Sequence, residues 1–183
     1  MTAQMPDLLV YNGSKYALLC NPLWAYFDGC HRQHPYAATS SMNWRGYVAS
    51  WKIADDRLYL SDVNGQICTR KHDVDHEPSS WCPVGHQGPC QNRSVGIDYL
   101  FDTSAGNVFA EWFSGELRVA TGKMIEYKHM GYGSKYERYL IFSIENGLVK
   151  NTELIGSADY EKLRLATVEK IASSRKPWWA FWL

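Results

Sequence analysis

Hydrophobic and polar positions alternate with a period of two through much of the chain. Tyr47-Val48-Ala49-Ser50-Trp51-Lys52-Ile53 sets Tyr47, Ala49, Trp51 and Ile53 on one face and Val48, Ser50 and Lys52 on the other, the pattern of a half-buried strand. Ala54-Asp55-Asp56 supplies a turn, Arg57 to Val63 is extended again, and Asn64-Gly65 is a two-residue hairpin signal. Residues 46–69 therefore read as a three-strand meander. Asn107 to Phe113, Glu116 to Val119, Lys123 to Tyr127, Tyr139 to Ile144 and Leu148-Val149 are short aromatic and β-branched runs. Ser114-Gly115, Thr121-Gly122 and Glu145-Asn146-Gly147 separate most of them as turns. Leu8 to Tyr11 and Tyr16 to Leu19, joined through Asn12-Gly13, make one more hairpin.

One stretch changes period. From Ser157 to Ser173 a helix is expected, with Ser157 as N-cap and Pro177 beyond its end. Tyr160, Leu163, Leu165, Val168, Ile171 and Ala172 share an arc that Arg164 interrupts. The predicted fold is mainly β, or α+β: a single domain over 1–183 built as a curved antiparallel sheet (meanders, sandwich or open barrel) with one C-terminal helix at 157–173. The stretch 69–96 lacks periodicity and carries Pro78, Pro83, Pro89, Gly85, Gly88 and Gly96, so it reads as a loop-like insertion.

A length of 183 residues suits one domain, and 45% hydrophobic with 21% charged residues is enough to build a core. Nineteen basic residues balance nineteen acidic ones, so no overall basic field points to nucleic acid. The first twenty residues hold Pro6, Asp7 and Asn12-Gly13-Ser14 where a signal peptide has an apolar run. No window approaches the roughly 18 apolar residues of a spanning helix. A cytoplasmic location is the expectation. Five cysteines, an odd number, favour free thiols or metal ligands over a disulfide framework.

Trp44-Arg45-Gly46-Tyr47-x-Ala49-x-Trp51-x-Ile53 with Leu58-Tyr59-Leu60, and Phe109-Ala110-Glu111-Trp112-Phe113-Ser114-Gly115-Glu116-Leu117-Arg118, resemble a family of uncharacterised bacterial cytosolic proteins. The likeness runs from about residue 8 to 155 outside the insertion. It implies a bacterial source and brings no catalytic residues.

Candidate chemistry gathers in the insertion, where Cys68-x3-His72-x3-His76 precedes Cys82-x3-His86-x3-Cys90. Thiolate and imidazole are what zinc takes, and a loop with no core of its own can fold around a metal. The expected ligands are Cys82, His86 and Cys90 with a fourth from Cys68 or His72; an unliganded surface loop is the competing reading. His76-Glu77 is followed by Pro78 and by Ser80 where a zinc-protease helix needs its second histidine, and Gly131-Tyr132-Gly133-Ser134-Lys135 lacks the spacing of a phosphate loop. No Gly-x-Ser-x-Gly elbow is present. Glu111 and Glu116, on successive expected strands, are the carboxylates nearest to an acid/base pair.

Eight Trp and twelve Tyr leave aromatics for recognition as well as for the core. Trp24 and Trp44 beside turns, and His129, Tyr132 and Tyr136 on one loop, form the expected binding surface. After the basic Arg175-Lys176 comes the aromatic segment Pro177-Trp178-Trp179-Ala180-Phe181-Trp182-Leu183, too short to span a bilayer. Membrane contact, a partner, or docking on the protein's own sheet or a second subunit compete for it, the last giving a homo-oligomer. The reading from sequence is a non-enzymatic bacterial binding protein that recognises another protein, such as a toxin or a regulatory component. The alternative is a hydrolase with a dispersed carboxylate or His129 site, zinc-assisted through the insertion.

Overall fold

The computed structural model describes residues 2–29, 34–70, 90–101, 103 and 106–173. The described residues form nine strands and two α-helices: β1 (Asp7–Tyr11), β2 (Ser14–Leu18), α1 (Pro22–Gly29), β3 (Tyr47–Ala54), β4 (Arg57–Arg70), β5 (Cys90–Val95), β6 (Val108–Phe109), β7 (Gly115–Glu126), β8 (Lys135–Glu145), β9 (Leu148–Gly156) and α2 (Ser157–Ser173). The protein is mainly β with a C-terminal helix, as the alternation predicts.

Pairing follows the order β3-β1-β2-β7-β8-β9-β4, and β4 returns to β3, so seven strands close into a barrel. Closure leaves few open edges for another chain to pair with. Among the described pairs β1–β3 is parallel and the others are antiparallel. The long strand β4 serves two partners: β3 lies along one edge, and the start of β9, then β6, then β5 follow one another along the other.

Three hairpins form where the turn chemistry predicts them. Asn12-Gly13, Asp55-Asp56 and Asn146-Gly147 each place both central residues at positive φ, the primed turn whose twist matches antiparallel strands. On β3 the predicted face, Tyr47, Ala49, Trp51 and Ile53, is buried. It packs in the barrel with Leu9, Leu18, Leu58, Leu60, Leu117 and Phe142.

Four expectations are corrected. Asn64-Gly65 is no turn: β4 runs through it, and a Cβ at Gly65 would strike the Tyr36 ring, so this glycine makes room for packing within a strand. Thr121-Gly122 does not separate two strands but lies at a bulge within β7, where pairing to β8 shifts register. The run 107–113 is strand only at Val108–Phe109. It then turns, with Phe113 N–H donating to Ala110 O at 3.0 Å, so Ala110 and Phe113, three apart, both reach the core, which strand alternation forbids. The ends of the 69–96 insertion are also strand, because Thr69-Arg70 pair with Cys90-Gln91 and extend the β4–β5 hairpin.

α1 is an addition to the predicted elements. Pro22 at its first position and Gly29 at its end are the local signal for it. Its Leu23 and Phe27 are buried in the main core. α2 packs outside the barrel, where Tyr160 stacks on Tyr139 at 3.6 Å between centroids and joins Leu19 and Ile141 in a second, smaller cluster.

Candidate interaction site

The sequence Trp44-Arg45-Gly46-Tyr47 enters β3 through a turn, and each of its side chains has a different fate. Gly46 sits at φ +71° against the Ala37 carbonyl, a conformation and a gap that any Cβ would fill. Tyr47 is fully buried and Trp44 is exposed. Arg45 lies between them and turns inward.

Its guanidinium is the hub of a buried polar network. Nη2 lies 3.1 Å from Asp7 Oδ1 and donates to Met5 O at 2.9 Å, while Nη1 donates to Asn21 Oδ1 at 2.6 Å and to the Tyr132 hydroxyl. The Tyr132 hydroxyl in turn donates to Asn21 Oδ1 at 2.7 Å. Asp7 is wholly buried and also accepts from Ala49 N–H at 3.0 Å and Trp51 Nε1–H at 3.3 Å. Burial pushes the Asp7 carboxyl above its usual range although Arg45, Ala49 and Trp51 pull the other way. Burial works against the Arg45 charge as well, yet Asp7, then Tyr132 and Tyr47, hold its pKa above the ordinary value. The carboxylate and guanidinium thus compensate one another where either alone would be costly.

This network stands under a rim made of three chain segments. Met5 N–H donates to Met42 O at 2.8 Å, Gln4 N–H to Gly131 O at 3.0 Å, and Gly131 N–H to Thr2 O at 3.1 Å. Gln4 Nε2 reaches Ser41 O at 2.9 Å, and Trp44 N–H reaches Gln4 Oε1 at 3.4 Å. On this laced backbone Met5, Met42, Trp44 and Met130 stand 41–50% exposed. Large apolar side chains gathered on a rigid frame are a feature of recognition surfaces.

The five residues expected to form one binding surface separate into four places. Trp44 lies on the rim, and Tyr132 stands beneath it with its hydroxyl on Arg45. His129 is exposed, its Nδ1 3.0 Å from the Tyr127 hydroxyl. Tyr136 joins the outer cluster under α2, with its ring 6.2 Å from Tyr139 and its N–H donating to the Tyr139 hydroxyl at 2.9 Å. Trp24 belongs to α1 and packs 5.1 Å from His34. Sequence reading missed Asp7, Asn21 and the inward turn of Arg45, since Asp7 and Arg45 stand 38 residues apart.

Of the expected zinc ligands, Cys68 is disulfide-bonded. A bonded sulfur has no thiolate to give a metal. His72, Cys82, His86 and the Cys90 side chain lie outside the described residues, as does His76. Among the described residues no three His, Cys, Asp or Glu side chains are grouped to hold a metal ion. Glu111 is in a turn and not on a strand, and Glu116 Oε2 lies 3.3 Å from Arg118 Nη2. No described helix is long and apolar enough to cross a membrane. No protein-family model, curated protein or solved structure matches the chain.

Proposed function

We propose that this protein is a binding module that recognises another protein through the rim formed by Met5, Met42, Trp44 and Met130. The observation that carries the reading is the combination of exposure with order. These apolar side chains stand in water on segments cross-linked by backbone hydrogen bonds and held from below by Arg45 and Tyr132. A surface ordered before binding loses little entropy on association. Trp at the centre of such a patch is the residue type that carries most binding energy, while flexible Met side chains adapt around it. The partner is therefore a protein that presents an apolar segment, with a bacterial toxin or regulatory component as the class.

A photo-crosslinking residue placed at Trp44, and a control at the exposed Lys52 on the β3 wall, tests this in cells of the source organism. The expected result is one recurrent protein adduct from position 44 only. That protein, purified, should bind the wild type and lose about tenfold or more in affinity with Trp44→Ala. Equal adducts at both positions, or an adduct whose purified partner binds Trp44→Ala as well as wild type, would show that the rim is not the recognition surface.

A further inference from the structure

Methionine usually fills gaps inside a core, yet here all four described methionines stand at the surface, Met5 at 43%, Met42 and Met124 at 50% and Met130 at 46% exposed. The main core and the cluster under α2 are built without it. Three of the four come together on the rim from three chain segments. Met5 N–H donates to Met42 O at 2.8 Å, and Gly131, next to Met130, accepts from Gln4 N–H at 3.0 Å. Met124 lies outside this frame, on β7 opposite Tyr136.

The segments 2–5, 40–44 and 130–131 carry no ionisable side chain. The charges that follow them in sequence, Asp7 and Arg45, are buried on one another. The grip of the rim therefore rests on apolar surface, which oxidation of a thioether to a sulfoxide removes. Other described sulfurs do not compete for an oxidant. Cys20 is 2% exposed with its thiol pushed up to about 11 by burial, so it presents no thiolate, and Cys68 is already disulfide-bonded. The frame itself does not use the thioethers, because backbone groups, Gln4, Arg45 and Tyr132 hold it.

We propose that Met5, Met42 and Met130 form a reversible oxidation site, at which a hydroperoxide turns the rim from apolar to polar and releases the bound partner. This rests on the rim being the recognition surface. The thioether sulfur attacks the outer oxygen of the hydroperoxide, and the O–O bond breaks as the S–O bond forms. Sulfur gives up two electrons, and the proton of the outer oxygen passes to the leaving oxygen, which departs as water or an alcohol. A thiol-dependent methionine sulfoxide reductase reverses the change by returning two electrons and releasing the oxygen as water. A sulfoxide oxygen carried into an apolar contact loses its water without a replacement, so three of them should weaken binding about tenfold or more.

The test uses the purified full-length chain with the photo-crosslinking residue at position 44. It is oxidised with hydrogen peroxide, and portions are then treated with methionine sulfoxide reductases plus dithiothreitol, or with dithiothreitol alone. Each portion is freed of reagents and irradiated in fresh, untreated lysate of the source organism, so that only this chain meets the oxidant. Peptide mass mapping should find one added oxygen on Met5, Met42 and Met130, with the melting temperature held within about 2 °C. The adduct should fall about tenfold, return after enzymatic repair, and stay low with dithiothreitol alone. The variant Met124→Leu should lose its adduct to the same extent. An adduct that persists on a chain carrying the three sulfoxides would overturn the oxidation site and leave the rim as the recognition surface. Rim methionines that resist oxidation, a fall that Met124→Leu prevents, or a lowered melting temperature would overturn it too. Recovery with dithiothreitol alone would place the effect on cysteines and defeat it as well. No adduct before oxidation would defeat the rim reading and the oxidation site together.

Discussion

Arg45 joins Met5, Asp7, Asn21 and Tyr132 through one guanidinium, so its removal strands several buried acceptors at once. Arg45→Met keeps the length and loses the charge, leaving Asp7 buried without its cation, and should cost about 3–5 kcal/mol of stability. The double variant Asp7→Leu with Arg45→Met should cost less than the sum of the two single changes, because the second removes the group the first left unpaired. Urea unfolding of the four proteins measures this, and strict additivity would show that the two residues act separately. His34 gives a pH-dependent counterpart. Its ring lies among Trp24, Phe27, Tyr36 and Tyr47, and burial lowers its pKa from the ordinary 6.5 to about 4, against a bond with the Tyr36 backbone that raises it. The unfolded chain then binds the proton first, so the folded state is stabilised above pH 6.5 and loses that stability as pH falls toward 4, by up to roughly 3 kcal/mol. In His34→Gln the slope between those values should flatten. A mutant with the wild-type slope across that window would place the titration on another group.

A single dipeptide shows what elements owe to local chemistry and what they owe to packing. Asn12-Gly13 turns the chain, with both residues at positive φ, whereas Asn64-Gly65 passes through the middle of β4 with Tyr36 against the glycine. Gly65→Ala should therefore destabilise by about 1–3 kcal/mol through overpacking. Tyr36→Leu, which vacates ring space, should relieve part of that cost in the double variant. If thermal unfolding shows no such relief, the glycine serves the backbone and not the ring. The same contrast explains how much was legible in sequence. The three true hairpins and the buried face of β3 follow from residues within a few positions of one another, and so does the start of α2 at Ser157. The continuity of β4 depends on Tyr36, and the turn at Ala110–Phe113 depends on Gly147, whose N–H donates to Phe113 O at 2.9 Å. Arg45 was visible as a motif letter, but its inward turn depends on Asp7 and Tyr132, far away in sequence. Cysteine parity argues against a full disulfide framework but leaves room for one disulfide beside a free thiol, as Cys68 and Cys20 show. Mass-spectrometric alkylation should modify Cys68 only after reduction. Cys20, a buried thiol pushed up to about 11 by burial, should react without reductant once the protein is unfolded. Alkylation of Cys68 in unreduced, unfolded protein would contradict the disulfide.

At the scale of the whole molecule the barrel consists of two arcs. One runs β2-β1-β3-β4 and carries β5 and β6; the other is β7-β8-β9 with α2 outside it. Within each arc the pairing is extensive, as where β8 pairs with both neighbours along most of its length. Between the arcs it is thin: among the described pairs, Leu18 opposite Val119 joins β2 to β7, and Arg57 opposite Leu148 joins β4 to β9. Leu19 N–H donating to Arg118 O at 2.7 Å supports the first seam, and Val149 N–H donating to Asp56 O at 2.8 Å supports the second. Tyr132 is the polar clasp over the first seam, since it comes from the loop between β7 and β8 and closes on Arg45 and Asn21 of the other arc. The rim thus straddles the two arcs, with Met130 on one and Met5, Met42 and Trp44 on the other. Tyr132→Phe deletes the hydroxyl but keeps the ring, and should cost about 1–2 kcal/mol. That loss should be local. Amide exchange at Leu19 should accelerate about tenfold or more while Leu117, Val119 and Ile141, inside the β7–β8 pairing, keep their protection, because opening a seam leaves each arc folded. A variant whose amides all accelerate by the same factor would show that the barrel opens only by unfolding as a whole, and that Tyr132 contributes to overall stability without acting as a clasp between the arcs.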